Sequence, residues 1–432
     1  MTRKDGNAER NATLKLLAQN PDFLRLWLGQ LLSQIGDRAF LIATLQLVNQ
    51  MSDSVTALLI PALAFALPQV LFGLVGGVMA DRWNRKHTMI ISEVTRGLIV
   101  LSLLTIQYHR QLWILYLGVA ALAFVGVFFY PARNALLPNI VSVGDLWSAN
   151  TLIQGSAMIA MVFGPALAGI AVGLWGVGFA FIFDAVTFFL SATAIASLQS
   201  SGQVALVEGA QPRSNLRQEM HDGLKYIMGH QLLKRVLALI AMATLGIASI
   251  VLLSVRHLDE ALGVGATGYG FTLTVLGIGA LLGGLSASRL NRVLKVRPLV
   301  SVMLLIAGVA IIGFAYAPTY AIVLVCVALL GMSVVTARGA LDTITQVLAP
   351  DEMRGRVQAA VNLIISAATA LAEGMSALLG DLLGLRVVFT GAGIITLLAG
   401  FAGWRILRAF SAAPQHGRAE ESTAIASPKS RA

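Results

Sequence analysis

The chain alternates long apolar stretches with short polar ones. A helix needs about 20 apolar residues to cross the hydrocarbon core of a bilayer. Runs of that kind lie near 23–48, 56–80, 88–107, 112–137, 151–173, 177–198, 235–256, 266–288, 298–317, 320–345, 357–381 and 386–408. Backbone polar groups find no partners in lipid, so each run is predicted to be a helix. The pattern predicts an all-α membrane protein with twelve transmembrane helices in two six-helix halves. Its parts are an N-terminal segment 1–22, a bundle 23–198, a linker 199–234, a second bundle 235–408 and a polar tail 409–432. In the linker, Leu216, Met220, Leu224, Ile227 and Met228 share one helical face, with Arg217 and Lys225 off it. That pattern suits an amphipathic helix on the membrane surface, or a plain helical linker. The first 21 residues lack the apolar core and cleavage site of a signal peptide, so none is expected.

Composition agrees. Hydrophobic residues make up 57% of the 432 and charged residues only 12%, against about 25% charged in soluble domains. The net charge of +10 would suit a nucleic-acid partner if it were clustered. Instead it is spread over short loops, which excludes that reading. With the N-terminus inside, 26 of the 31 Lys and Arg residues fall in inner segments and only Arg110, Arg256 and Arg386 in outer loops. The asymmetry predicts that both termini are cytoplasmic and that the chain lies in the inner (plasma) membrane. Cys326 is the one cysteine, so neither a disulfide nor a cysteine metal site is expected. No phosphate-binding glycine loop, paired histidines or nucleophile elbow occurs, so no enzyme activity, cofactor or metal is expected.

The halves repeat. Gly76, Gly77, Arg82, Asn84 and Arg85 recur as Gly283, Gly284, Arg289, Asn291 and Arg292, always 207 residues later. Arg133 and Arg338 recur at an offset of 205, near the inner ends of spans four and ten. Two related halves with a site between them near the midplane are a transporter architecture.

Gly77-x-x-x-Asp81-Arg82-x-x-Arg85-Lys86 resembles the loop signature of the major facilitator superfamily, with Asn84 where that family usually has glycine. Gly164-Pro165 followed by Gly169 resembles the superfamily's antiporter signature. Leu28-Gly29-Gln30 through Gly36-Asp37, Phe129-Tyr130-Pro131-Ala132-Arg133 through Pro138, and Arg354-Gly355-Arg356-Val357 resemble the macrolide-efflux and siderophore-exporter branch. Gly36-Asp37 with Ala43-Thr44-Leu45 is also similar to the lysophospholipid transporters of the superfamily. The resemblance implies that Asp81 faces the N-terminal end of span eleven, latching the halves in the outward-open state. Arg82, Arg85 and Lys86 then either support this cytoplasmic gate or serve as topology anchors facing anionic lipids. It also implies that the Gly164, Pro165 and Gly169 packing limits leak in exporters; a plain packing kink is the alternative.

Charges within spans are expensive and are functional candidates by default. Asp37 lies near the middle of span one, either as a proton-carrying carboxyl or in a salt bridge with an arginine of the same half. Arg38 follows it, about 100° round the helix. Glu93 and Arg96 are three apart and can pair. Asp184 is unpaired in its own helix and meets either Arg38 or substrate. Glu373 in span eleven faces either the cavity or a neighbouring helix. Arg133, Arg338 and Asp342 are read as inner-gate residues, the last two able to pair. The expected function is secondary active transport by alternating access, coupled to protons, exporting amphipathic drug- or siderophore-like molecules as a monomer. A lysophospholipid flippase, a non-transporting membrane sensor and an uptake permease are the alternatives.

Overall fold

The computed structural model describes residues 15–106, 111–200, 225–350 and 353–408, almost all of them helical. In chain order the long helices begin with α1 (Pro21–Met51), α2 (Thr56–Arg82), α3 (Arg85–Ser102) and α4 (Leu112–Ile140). Next comes a single run, Leu146–Ala196, of 51 residues. At about 1.5 Å per residue it is more than twice as long as the roughly 30 Å core requires. It is broken at Gly176, whose φ of 80° and ψ of 173° are non-helical. The side chain of Arg38 lies against Gly164, and Asp184 lies against Gly36. The two sides of the break therefore reach the same depth on α1, and the run is a hairpin of α5 (146–175) and α6 (177–196).

The second half holds α7 (Gln231–Leu262, interrupted at Ala248), α8 (Gly265–Leu294) and α9 (Val296–Ala315). It ends with α10 (Tyr320–Leu348), α11 (Arg354–Leu383) and α12 (Leu385–Ile406). Eleven runs among the described residues are long and apolar enough to cross a membrane. With the hairpin counted as two, this agrees with twelve crossings. Residues 201–224 of the linker lie outside the described residues, and with them Leu216, Arg217, Met220 and Leu224 of the expected amphipathic helix. In its last turn, 225–229, Ile227 is buried in the second half's core and Met228 is exposed.

The halves are built alike. α2 packs on α4 as α8 packs on α10, and α3 packs on α4 as α9 packs on α10. The repeated glycines explain part of this. Gly76 sits against the Val127 carbonyl of α4, and its counterpart Gly283 sits against the Met332 carbonyl of α10. A Cβ at either position would collide with backbone. Asn84 holds a negative φ of −61° and caps α3 by accepting the His87 N–H at 3.0 Å, so the loop needs no glycine there.

The two halves meet along two seams, α5 with α8 and α2 with α11. We call the end carrying the described termini and most basic loops the basic end, and the opposite one the far end. At the far end one apolar core is continuous across the halves, running from Ile42 and Leu58 through Phe181 to Leu253 and Phe389. At the basic end the cores are separate, one around Leu26 and Met89, another around Phe23, and a third around Leu237 and Leu304. Hydrogen bonds between the halves among the described residues follow the same rule. Asn49 donates to Asp259 (3.0 Å) and Arg256 to the Ser52 carbonyl (2.6 Å) at the far end, and the Ala166 N–H donates to Thr274 (3.0 Å) deeper in. The molecule is closed at its far end and parted at its basic end.

Candidate functional site

Parting the basic ends leaves a central cavity of about 560 Å³ between the halves. Toward the basic end its wall includes the exposed Gln69 and Tyr130; toward the far end it includes the buried Thr44, Leu45 and Leu252. Its charged lining is unequal. Among the described residues, Asp37, Arg38, Arg96 and Asp184 come from the first half and Glu373 alone from the second.

From the lining residue Arg96 a buried polar cluster runs back into the first half. Glu93 is fully buried and Arg96 is 5% exposed. One Glu93 oxygen lies 3.1 Å from Arg96 Nη2 and accepts from Gln30 Nε2 (3.1 Å) and Ser191 Oγ (3.0 Å). Three helices, α1, α3 and α6, thus hold one carboxylate. The Arg96 guanidinium is stacked between Phe129 and Phe188, each ring centre 4.5 Å away, an arrangement that favours a cation in a desolvated place. Sequence reasoning found the Glu93–Arg96 pair by its spacing. It missed Gln30, Ser191, Phe129 and Phe188, whose partners are 30 or more residues away.

Asp184 is 1% exposed; the Thr187 hydroxyl donates to its backbone carbonyl (2.7 Å), and neither carboxyl oxygen accepts a hydrogen bond among the described residues. It does not pair with Arg38; Gly36 makes room for it, and a Cβ there would come 2.6 Å from Asp184 Oδ1. Asp37 has no ion pair within 4.0 Å among the described residues. It lies near enough to Asp184 for mutual repulsion, with Arg96 near enough to attract both. Glu373 is half-buried on the opposite wall, with no hydrogen bond or ion pair among the described residues.

The remaining candidates lie away from this cluster. Arg133 stacks on Tyr130 (5.4 Å) and donates to Asn134. Arg338 donates to both Asp342 oxygens at 2.9 Å near the basic end of α10. Lys86 donates to the Leu198 carbonyl (2.6 Å), closing the end of α6. Arg82 is exposed, Arg85 is half-buried, and Gly77 lies within α2. The side chain of Asp81 lies outside the described residues. Among those residues no group of three His, Cys, Asp or Glu could hold a metal ion.

Pro165 and Gly169 lie on the α5–α8 seam, and Gly164 faces Arg38 of α1. Gly169 sits close to Gly270, and the Pro165 carbonyl faces the same glycine. A Cβ at Gly164 would lie 2.7 Å from Arg38 Cγ and 2.9 Å from its Cβ. Gly164→Ala is therefore expected to cost about 1–3 kcal/mol through overpacking, read as a lower midpoint of thermal unfolding in detergent. Arg38→Ala in the same chain removes the Cγ and should recover part of the loss.

Residues 14–425 match the transmembrane secretion effector family of the major facilitator superfamily. The chain belongs to that family. This transporter is 24% identical to macrolide efflux protein A of Streptococcus pyogenes over 385 residues, covering 87% of this chain and 93% of that one. It is 26% identical to the multidrug efflux pump Tap of Mycolicibacterium fortuitum over 381 residues, covering 84% and 90%. Among solved structures it resembles a bacterial homologue of the human lysosomal transporter Spinster, in an inward-facing, unoccupied conformation. That match has a TM-score of 0.68 at 14% identity and covers 90% of this chain and 97% of the other. At such identity the likeness shows the fold. The transporter is thus a multi-pass membrane protein and not an enzyme.

Proposed function

We propose that this transporter exports amphipathic small molecules of drug- or siderophore-like kind, driven by protons returning through the same cavity. The observation that carries the reading is the pair of neighbouring carboxyls, Asp37 and Asp184, at an apolar cavity between the two halves, with no hydrogen bond to the Asp184 carboxyl among the described residues. A bare charge in such a place is costly, and binding a proton discharges it. A proton taken up from the far side and released at the basic side would make the occupied and empty cavities differ in charge. That difference is what coupling requires. The relatives' names, a macrolide efflux protein and a multidrug efflux pump, favour export and an amphipathic cargo. The basic end is assigned to the cytoplasm from the distribution of Lys and Arg, which also sets those residues against anionic lipid heads. One chain encloses the whole cavity, so we take the monomer as the working unit.

The test is proton flux. The protein is reconstituted in liposomes with a pH-sensitive dye inside. Lipophilic cations, macrolides, catecholate siderophores and lysophospholipids are added to wild type and Asp37→Asn. Proton movement driven by a drug-like compound and abolished in Asp37→Asn is the expected result. Lysophospholipid movement without proton flux, untouched by the substitution, would replace this reading with a flippase. Binding without movement of any compound would point to a sensor.

A further inference from the structure

The first turn of α2 has no cap of its own. Val55 stands at the N-cap position with no side-chain hydrogen bond, so the first N–H groups of the helix need outside acceptors. They find one in the other half. The Asp381 carboxylate, near the C-terminal end of α11, accepts from the Val55 N–H (2.5 Å) and the Thr56 N–H (3.1 Å). It also accepts from the hydroxyls of Ser54 (2.7 Å) and Thr56 (2.5 Å). Four donors of the α1–α2 turn thus converge on one carboxylate that is distant in sequence. Beside it, Gly380 lets α11 approach, since a Cβ there would already lie 3.0 Å from Val55 Cγ1. From α7, Arg256 donates to the Ser52 carbonyl at 2.6 Å and lies 3.8 Å from Asp53. The turn is gripped by an anion on its N–H groups and a cation on its carbonyl, both from the second half.

The other seam is built differently. Along α5 and α8, Gly169 packs on Gly270, Gly277 lies against Val162, and the Thr267 hydroxyl donates to the Gly169 carbonyl at 3.1 Å. That seam is backbone against backbone from the far end to mid-depth and carries no charged contact among the described residues. Opening the far end would keep the glycine seam together and pull α11 from α2, taking the cap with it.

We propose that Asp381 is a positioning residue of the transport cycle. It caps α2 across the halves only in the far-closed state, and the loss of that cap sets how readily the far end opens. A helix cap that is exchanged for water on opening acts on one state alone, so its removal shifts the balance in one direction. This rests on the alternating-access reading, and the test separates the two.

Spin labels are placed through Gln50→Cys and Thr319→Cys in a Cys326→Ala background, and their separation is measured in the reconstituted protein. In the wild type we expect a major short distance and a minor long one. Asp381→Ala should raise the ratio of long to short about fivefold, the effect of one lost N-terminal cap. Asp381→Asn, which keeps one acceptor oxygen, should fall between. Ser54→Ala with Thr56→Val removes two hydroxyl donors and leaves the N–H groups, so it should move the ratio the same way by less; it also serves if Asp381→Ala does not fold. Two distances in the wild type with a ratio unchanged in all variants would overturn the role of Asp381. A single distance in the wild type, unmoved by any transported compound or pH, would overturn alternating access itself.

Discussion

Arg96→Met is expected to lower the stability of the transporter by about 3–5 kcal/mol, the usual cost of breaking a buried ion pair from one side. The cause is the partner left behind. Glu93 is fully buried, and its remaining donors are the neutral Gln30 and Ser191. Methionine fills the slot between Phe129 and Phe188 as a flexible apolar chain, so lost volume contributes little. The double variant Glu93→Gln with Arg96→Met removes both charges and keeps an acceptor for the same donors. It should recover most of the loss. Thermal unfolding of wild type, Arg96→Met, Glu93→Gln and the double variant in one detergent measures the coupling between the two sites. Equal midpoints for wild type and Arg96→Met would show that Glu93 does not depend on Arg96.

The second large effect has the opposite sign. Asp184 is nearly as buried as Glu93, yet neither of its carboxyl oxygens accepts a hydrogen bond among the described residues. Replacing an unsatisfied buried polar group with an apolar one of similar size removes a cost of about 1–3 kcal/mol. Asp184→Val should therefore be as stable as wild type or more so, while substrate-driven proton flux is lost. That combination is what a residue kept for function at the expense of stability produces. An Asp184→Val protein that unfolds as early as Arg96→Met would mean that the carboxyl has a structural partner. One that still couples protons would leave Asp37 as the carrier alone.

These two residues also show what the sequence makes legible. Each appears as a charge within an apolar run, and the spacing of Glu93 and Arg96 places them on one face of α3. Spacing along one helix cannot reveal contacts between helices. The Gln30 and Ser191 donors are neutral, common residues with no periodic signal. The Phe129 and Phe188 rings look like ordinary core. The sequence leaves Asp184 open to either Arg38 or substrate; Gly36 sets it into the α1–α6 interface at the cavity wall, away from a pairing with Arg38. Asp381 lay at the edge of span eleven, where a carboxylate reads as a solvated end, and only the approach of α2 gives it meaning. The fold was legible to a much greater degree, because bilayer thickness sets a length that apolar runs must match. The hairpin follows the same rule: two apolar runs, near 151–173 and 177–198, are each long enough to cross, and the break between them falls at Gly176.

The unequal walls of the cavity have a consequence for how such a molecule can change. Among the described residues, four of its five charged lining residues belong to the first half. If energy conversion resides there, the opposite wall is free to vary in size and polarity without disturbing it. A lineage could then acquire new cargo by altering α7 and α11 while inheriting its engine intact. Grafting the second half of one relative onto the first half of another should transfer selectivity and leave the driving ion unchanged.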